Sequence, residues 1–253
     1  VGDVPFQKMR AMDILSWRRK LETKGLSPQT VKHCMGLLRR VARFARKWDY
    51  YTGPVPHFEL PTVHNTRSRI LSPGEGGVLL DELSRRSLLW HDICLFALNT
   101  GLRANEIFVL RKLDISSDLE FVYIIEQRSG MSKTITRAQP LNVAAQNIAR
   151  YYLDKGKGQT LFQYSEGRPV PAVSSSFERA VKACRFNIGV KDRLQRVVFH
   201  TLRHTFASRL VQNGVSLQIV CDLLGHKSLK TTMRYAKLDI TQTQSAVKLL
   251  DHI

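Results

Sequence analysis

Between His200 and Tyr235 the chain gathers four side chains suited to one reaction at a phosphorus centre: His200 and Arg203 in HTLRH, His226 in LLGH, and Tyr235 in TTMRY. An arginine fork makes paired hydrogen bonds to phosphate oxygens and stays charged at any working pH. A tyrosine supplies a phenolic nucleophile, and histidines beside it can move protons or hydrogen-bond the phosphate. Taken singly, each residue also has an ordinary reading, as a capping or core histidine, a paired arginine, or a tyrosine with a wet hydroxyl. A metal site is a further alternative, because His200 and His204 form an H-x3-H pair with His226 as a third ligand. Against it, the intervening TLR lacks the glutamate of a HExxH site, and Arg203 would set a cation beside the metal.

These residues need elements to hold them. His200 and Arg203 stand three apart at the start of an apolar-periodic segment (Leu202, Phe206, Leu210, Val211), which predicts one shared helical face and a stop at Gly214. Ser216 can cap a second helix, closed by Gly225, with His226 on the turn after it; Ser228 can cap a third that carries Tyr235. Upstream, residues 1–58 read as helical, with amphipathic stretches from Met9 to Thr23 and from Val31 to Trp48, and Pro28 after Ser27 as a helix start. The stretch from Thr52 to Thr66 is rich in Pro, Gly and short polar residues and reads as a linker. Ser72-Pro73 followed by Glu75 starts a helix whose first turn is weakened by Gly74, Gly76 and Gly77, and residues 91–99 form a buried helix ending at Gly101. Between Leu113 and Leu141 the period shifts to two, with strands at 121–125 and 134–136 joined around Ser129-Gly130.

HTLRHTFASRL, LLGHKSLKTT and Tyr235 resemble, in order, the C-terminal signature of the tyrosine recombinase or phage integrase family. NTGLRANEIFVL is similar to that family's T-G-L-R-x-x-E segment, and RSRILSPGEGGVLLDEL to its entry into the catalytic domain. In KGLSPQT, Gly25, Ser27 and Thr30 match the G-x-S-x-x-T of its helical core-binding domain. The resemblance implies a mainly α fold with a small antiparallel β-sheet: a core-DNA-binding domain at 1–58, a linker at 59–68 and a catalytic domain at 69–253. It further implies Arg103, Lys133, His200, Arg203, His226 and Tyr235 as the catalytic set. Lys133 stands for the hairpin lysine because RAQPL, from Arg137 to Leu141, partly resembles the strand that follows it. It lies four residues before Arg137 where five is common, so Arg128 is the alternative.

Composition points the same way. There are 39 Lys+Arg against 21 Asp+Glu, a formal charge of +18, which favours a polyanionic partner. Residues 1–58 hold twelve Lys/Arg and four Asp/Glu, and Arg18, Arg19, Lys32, Arg39, Arg43 and Arg46 are the candidate contacts to the DNA backbone, the competing reading being a solvated basic face. No apolar run approaches the ~20 residues that span a bilayer, and no signal pattern is present, so a membrane partner is not expected. Cys34, Cys94, Cys184 and Cys221 are scattered without C-x-x-C spacing and read as reduced thiols.

The chemistry implied by the resemblance is attack of Tyr235 on a DNA phosphodiester. A phenol of reference pKa about 10 costs ~4 kcal/mol to ionise at neutral pH. Arg103 and Arg203 would hold the phosphate in place of a metal, His200 would take the phenol's proton or help the arginines, His226 would hydrogen-bond the phosphate, and the hairpin lysine would protonate the 5′-oxygen. No cofactor, metal or ATP is called for, since the 3′-phosphotyrosine ester conserves the bond energy. The resemblance also implies a double-stranded attachment site, a homotetramer on DNA joined through a C-terminal helix within 241–253, accessory DNA-bending or directionality proteins, and a cytoplasmic, nucleoid-associated setting. Competing readings are a type IB topoisomerase, which needs one monomer, a catalytically silent DNA-binding regulator, and, more distantly, a metal hydrolase.

Overall fold

The computed structural model describes residues 8–63, 68–126 and 134–238. The chain divides into two compact units, residues 1–66 and 67–253.

The first unit is built on α1 (Ala11–Thr23) and α2 (Pro28–Lys47). The Arg10 amide donates to Asp13 Oδ2 at 2.9 Å and opens α1. Ser27 Oγ accepts from the Thr30 amide at 3.2 Å, with Pro28 as the first helical residue of α2. Val31, Met35 and Ala42 recur at helical spacing on the inner face of α2 and meet Ile14 of α1. Phe58 completes that core, and Val55 and Leu60 pack on it, so the Pro-rich stretch after Thr52 runs along this unit.

In the second unit α3 (Pro73–Arg86), α4 (Leu88–Thr100), the short α5 (Ala104–Phe108), strands β1 (Phe121–Glu126) and β2 (Thr134–Pro140), and helices α6 (Val143–Lys155), α7 (Ser175–Ala183), α8 (Phe199–Gln212), α9 (Leu217–Leu224) and α10 (Leu229–Thr232) follow in order. The whole is mainly helical with a two-stranded antiparallel sheet. α4 is apolar on almost every face and sits centrally, packed against α3, α6 and α8. It begins at Leu88 rather than His91, because Ser87 Oγ caps it through the Trp90 amide and Trp90 buries edge-on against Phe108 and Phe199. α3 starts at Pro73 despite its three glycines: the Ser72–Glu75 capping box (2.9 and 3.2 Å) and the burial of Leu79 and Leu83 outweigh their helix cost, about 1 kcal/mol each.

β2 is longer than its sequence pattern predicts. It runs on through Arg137 to Pro140, pairing Ile124 with Arg137 and Phe121 with Pro140, with an irregularity between Ile124 and Ile125. Burial of Val122 and Ile124 on β1 holds the extension, and the proline lies at the strand's end, where its missing N–H is tolerated. The pairing brings Arg137 to the site described next. Among the described residues no helix is long and apolar enough to cross a membrane.

Candidate active site

The candidate site forms where three loops converge on α8. Phe199 anchors the start of that helix by edge contacts to Trp90 and Phe177, and Thr205 Oγ1 accepts the Leu71 amide at 2.9 Å, tying the beginning of the unit to its middle. α8 is therefore buried around most of its circumference. This separates two residues expected on one face: His200 is exposed, whereas Arg203 is 3% exposed.

Arg203 fastens two loops. Nη1 donates to the Gly101 carbonyl at 2.7 Å and Nη2 to the Leu224 carbonyl at 2.5 Å, using two of its five N–H donors. The first loop carries Arg103 and the second carries His226. Both loops need a left-handed glycine. Gly101 has φ +65° and would drive a Cβ into the Phe206 ring; Gly225 has φ +60° and would drive one into the Arg137 guanidinium.

Glu106 gathers the other arginines. It accepts the Arg103 amide (2.7 Å), Arg103 Nη1 (2.8 Å), and Arg137 Nη1 and Nη2 (3.2 and 3.0 Å). Burial pushes its carboxyl up, but the hydrogen bond and charge of Arg137, with those of Arg103, more than reverse this and hold it below the usual range. Arg203 is pushed down to about 9, first by burial and then by Arg103 and Arg137, and stays charged at neutral pH. Three guanidinium groups thus lie near one carboxylate, with Arg103 and Arg137 bonded to it, a local charge of +2.

His226 faces that charge. Its Nδ1 lies 2.8 Å from Thr232 Oγ1, and burial first, then Arg203, Arg103, Arg234 and Arg137, lower it to about 4. It is neutral at pH 7. In the tautomer whose Nδ1 accepts the threonine hydroxyl, the ring proton is on Nε2, where it can be offered to an acceptor. The same cations make the place hostile to a metal ion.

Ser228 Oγ caps α10 through the Lys230 amide, as its position predicts, but Tyr235 lies beyond α10, in a 3-10 turn at Met233–Leu238. Its ring packs among Ala207, Val211, Val220 and Leu224 and is 4% exposed. The phenol Oη is 2.6 Å from Nδ1 of His204. Burial raises its pKa, while Arg234 and Arg203 pull it back in part.

Of the six catalytic candidates, Arg103, Arg203, His226 and Tyr235 fall in one electrostatic neighbourhood. His200 meets it through its ring contact with His204. Lys133 and its alternative Arg128 lie outside the described residues, as does 241–253. Three members were not singled out from sequence. Glu106 carried a signal in its capping-box spacing from Arg103, Arg137 in its place at the head of RAQPL, and His204 was weighed only as a metal ligand.

On α2, Lys32, Arg39, Arg43 and Arg46 fall within an arc of about 60° at 3.6 residues per turn. Arg19 is exposed on α1. Arg18 is engaged elsewhere, its Nε donating to Glu22 at 2.9 Å and its Nη1 lying 3.7 Å from a Glu59 carboxylate oxygen. A cavity of about 390 Å³ beside α5 and β1 is lined largely by Val109, Leu110, Tyr123 and Ile124; its arginine, Arg111, is paired with Asp114, which leaves it poorly suited to phosphate.

Residues 78–242 match the profile of the phage integrase family. The chain is 26% identical to tyrosine recombinase XerA of Pyrococcus furiosus over 239 residues, 94% of this chain and 80% of that protein. Its fold is similar to the Tn1549 transposon integrase in complex with circular intermediate DNA, with a TM-score of 0.72 and 22% identity over 92% of this chain and 83% of that one. It is also similar to a lambda integrase dimer bound to a COC′ core site, with a TM-score of 0.68 and 22% identity over 90% and 83%.

Proposed function

The chain belongs to the phage integrase family, whose tyrosine recombinases are DNA strand-cleaving and rejoining enzymes, and on that premise we propose that it exchanges strands at a specific DNA site through a 3′-phosphotyrosine ester on Tyr235, in the integration or excision of mobile DNA. One observation carries the reading. The Arg103, Arg137, Arg203 and Glu106 group has a charge of +2 beside a neutral His226 and a tyrosine. A bound phosphodiester brings one negative charge, and the five-coordinate transition state carries about two, so the group's attraction grows as the reaction proceeds.

Arg103 and Arg203 hold the nonbridging oxygens, and Arg137 acts through Glu106 to aim Arg103. His226 donates Nε2–H to a phosphate oxygen, and Tyr235 attacks. Lys133 protonates the departing 5′-oxygen. A second 5′-hydroxyl reverses the step and seals the strand without ATP or a divalent metal. The basic arc of α2 tracks the DNA backbone, and a homotetramer on two sites, with accessory bending or directionality proteins, exchanges the strands.

Duplexes selected by binding from a randomised library, remade with a nick, are incubated with the protein in chelator and denatured. A covalent adduct in wild type that is lost in Tyr235→Phe is the expected result. Tight binding without an adduct would favour a silent regulator. Relaxation of supercoiled plasmid by isolated monomers would favour a topoisomerase, and loss of cleavage in chelator a metal hydrolase.

A further inference from the structure

A phenol that attacks phosphorus must give up its proton as the new bond forms. Tyr235 is buried among aliphatic side chains, so bulk water does not bathe Oη. The group in hydrogen-bond contact with it is Nδ1 of His204, at 2.6 Å. His204 lies inside α8, 3% exposed, and its ring is set edge-on to His200 with centroids 4.6 Å apart. His200, for which the family resemblance implies either this role or help to the arginines, is on the exposed side of that pair.

We propose that His204 is the catalytic proton acceptor for Tyr235, an inference that rests on the phosphotyrosine reading above. In the resting protein the phenol O–H donates to Nδ1, and the ring proton resides on Nε2. During cleavage the Oη–P bond forms and the P–O5′ bond breaks. The phenolic proton passes to Nδ1, giving an imidazolium, while the 5′-oxygen leaves with a proton from the acid of the cleft. On religation a 5′-hydroxyl attacks phosphorus and returns its proton to that acid. The Oη–P bond breaks, and the imidazolium gives its proton back to Oη. The partners sit at proton-transfer distance before substrate arrives, so the step needs no water-filled path. The edge contact with His200 fixes the plane of the ring. Burial raises the phenol's pKa, which makes an acceptor already in contact more necessary.

The test is the single-turnover rate of adduct formation on the nicked duplex. Wild type forms the adduct and Tyr235→Phe does not. His204→Ala is expected to slow it by about 100-fold or more, within the range for loss of a general base. His204→Asn keeps an acceptor oxygen near the Nδ1 position but cannot hold a proton at neutral pH, so it is expected to stay slow. Imidazole added to His204→Ala is expected to restore about tenfold, with no effect on Tyr235→Phe. Melting curves and duplex binding confirm that the variants fold. His204→Asn at the wild-type rate would reduce the residue to orientation, and His204→Ala at or above wild type would make it a latch. Slow His204→Ala without imidazole rescue would make it structural. Each of these overturns the proposal. Absence of an adduct in wild type, or its persistence in Tyr235→Phe, would instead remove the phosphotyrosine reading and this inference with it.

Discussion

Glu106→Gln separates the two jobs of the arginine cluster. The carboxylate receives four hydrogen bonds, two from Arg103 and two from Arg137, with side-chain exposures of 16% for Glu106 and 11% for Arg137. Arg103 is 43% exposed, so solvent screens its share and it is discounted. The Arg137 pair is mostly buried. Breaking such a pair costs 3–5 kcal/mol in general, and the one acceptor oxygen that glutamine keeps places the expected loss near the lower bound, about 3 kcal/mol. For a unit of this size that lowers Tm by about 6–12 °C. The pH dependence has a definite sign. The carboxyl is lowered in the folded protein, so its contribution is fully present above the unfolded value near 4.5 and is lost as pH falls through the folded value. The stability gap between wild type and Glu106→Gln therefore closes with acidification. Adduct formation should fall about 10-fold or more as Arg103 loses its aim. Duplex binding should not weaken, because the cluster becomes more positive. Thermal melts across pH and single-turnover cleavage read these effects. A Tm within about 1 °C of wild type, or a gap that widens in acid, would refute the reasoning.

Gly225→Ala puts a Cβ into the Arg137 guanidinium at a φ of +60°; it should cost about 1–2 kcal/mol from the backbone alone and slow cleavage. Gly225→Asn should recover part of the stability, since Asn tolerates that backbone, but not the cleavage rate, because the collision remains; equal rescue of both would separate Arg137 from catalysis. His226 should titrate near 4 by NMR. Its folded value lies below the unfolded one, so the stability of wild type relative to His226→Asn is full above about 6.5 and declines as pH drops towards 4. Replacing Arg39, Arg43 and Arg46 together by Ala should flatten the slope of log binding constant against log salt by up to about 3. An unchanged slope would take the α2 arc off the DNA backbone.

The family was legible in the sequence through ordered motifs, and the mainly helical fold with its hairpin through local signals; the motifs also nominated Arg103, Arg203, His226 and Tyr235, which the fold brings into one neighbourhood. Cap residues, left-handed glycines and i, i+3 spacings are physics of neighbours along the chain. Ser216, Gly225 and His226 could be placed on a helix, its end and the turn beyond from nearest-neighbour rules alone. What the sequence could not decide is which side chains meet across the fold. RAQPL marked a strand at Arg137, but not its partner: Glu106 binds Arg137 across 31 residues of chain. Arg203 faces inward while His200 faces out because α8 is packed on nearly every side, which an amphipathic pattern does not encode. His204 reaches Tyr235 only once α9, α10 and the turn after them fold back on α8. Electrostatic tuning follows the same division. The sequence supplies the charges, but the burial that holds His226 neutral and raises the Tyr235 phenol is set by tertiary packing, because desolvation depends on everything that surrounds a group.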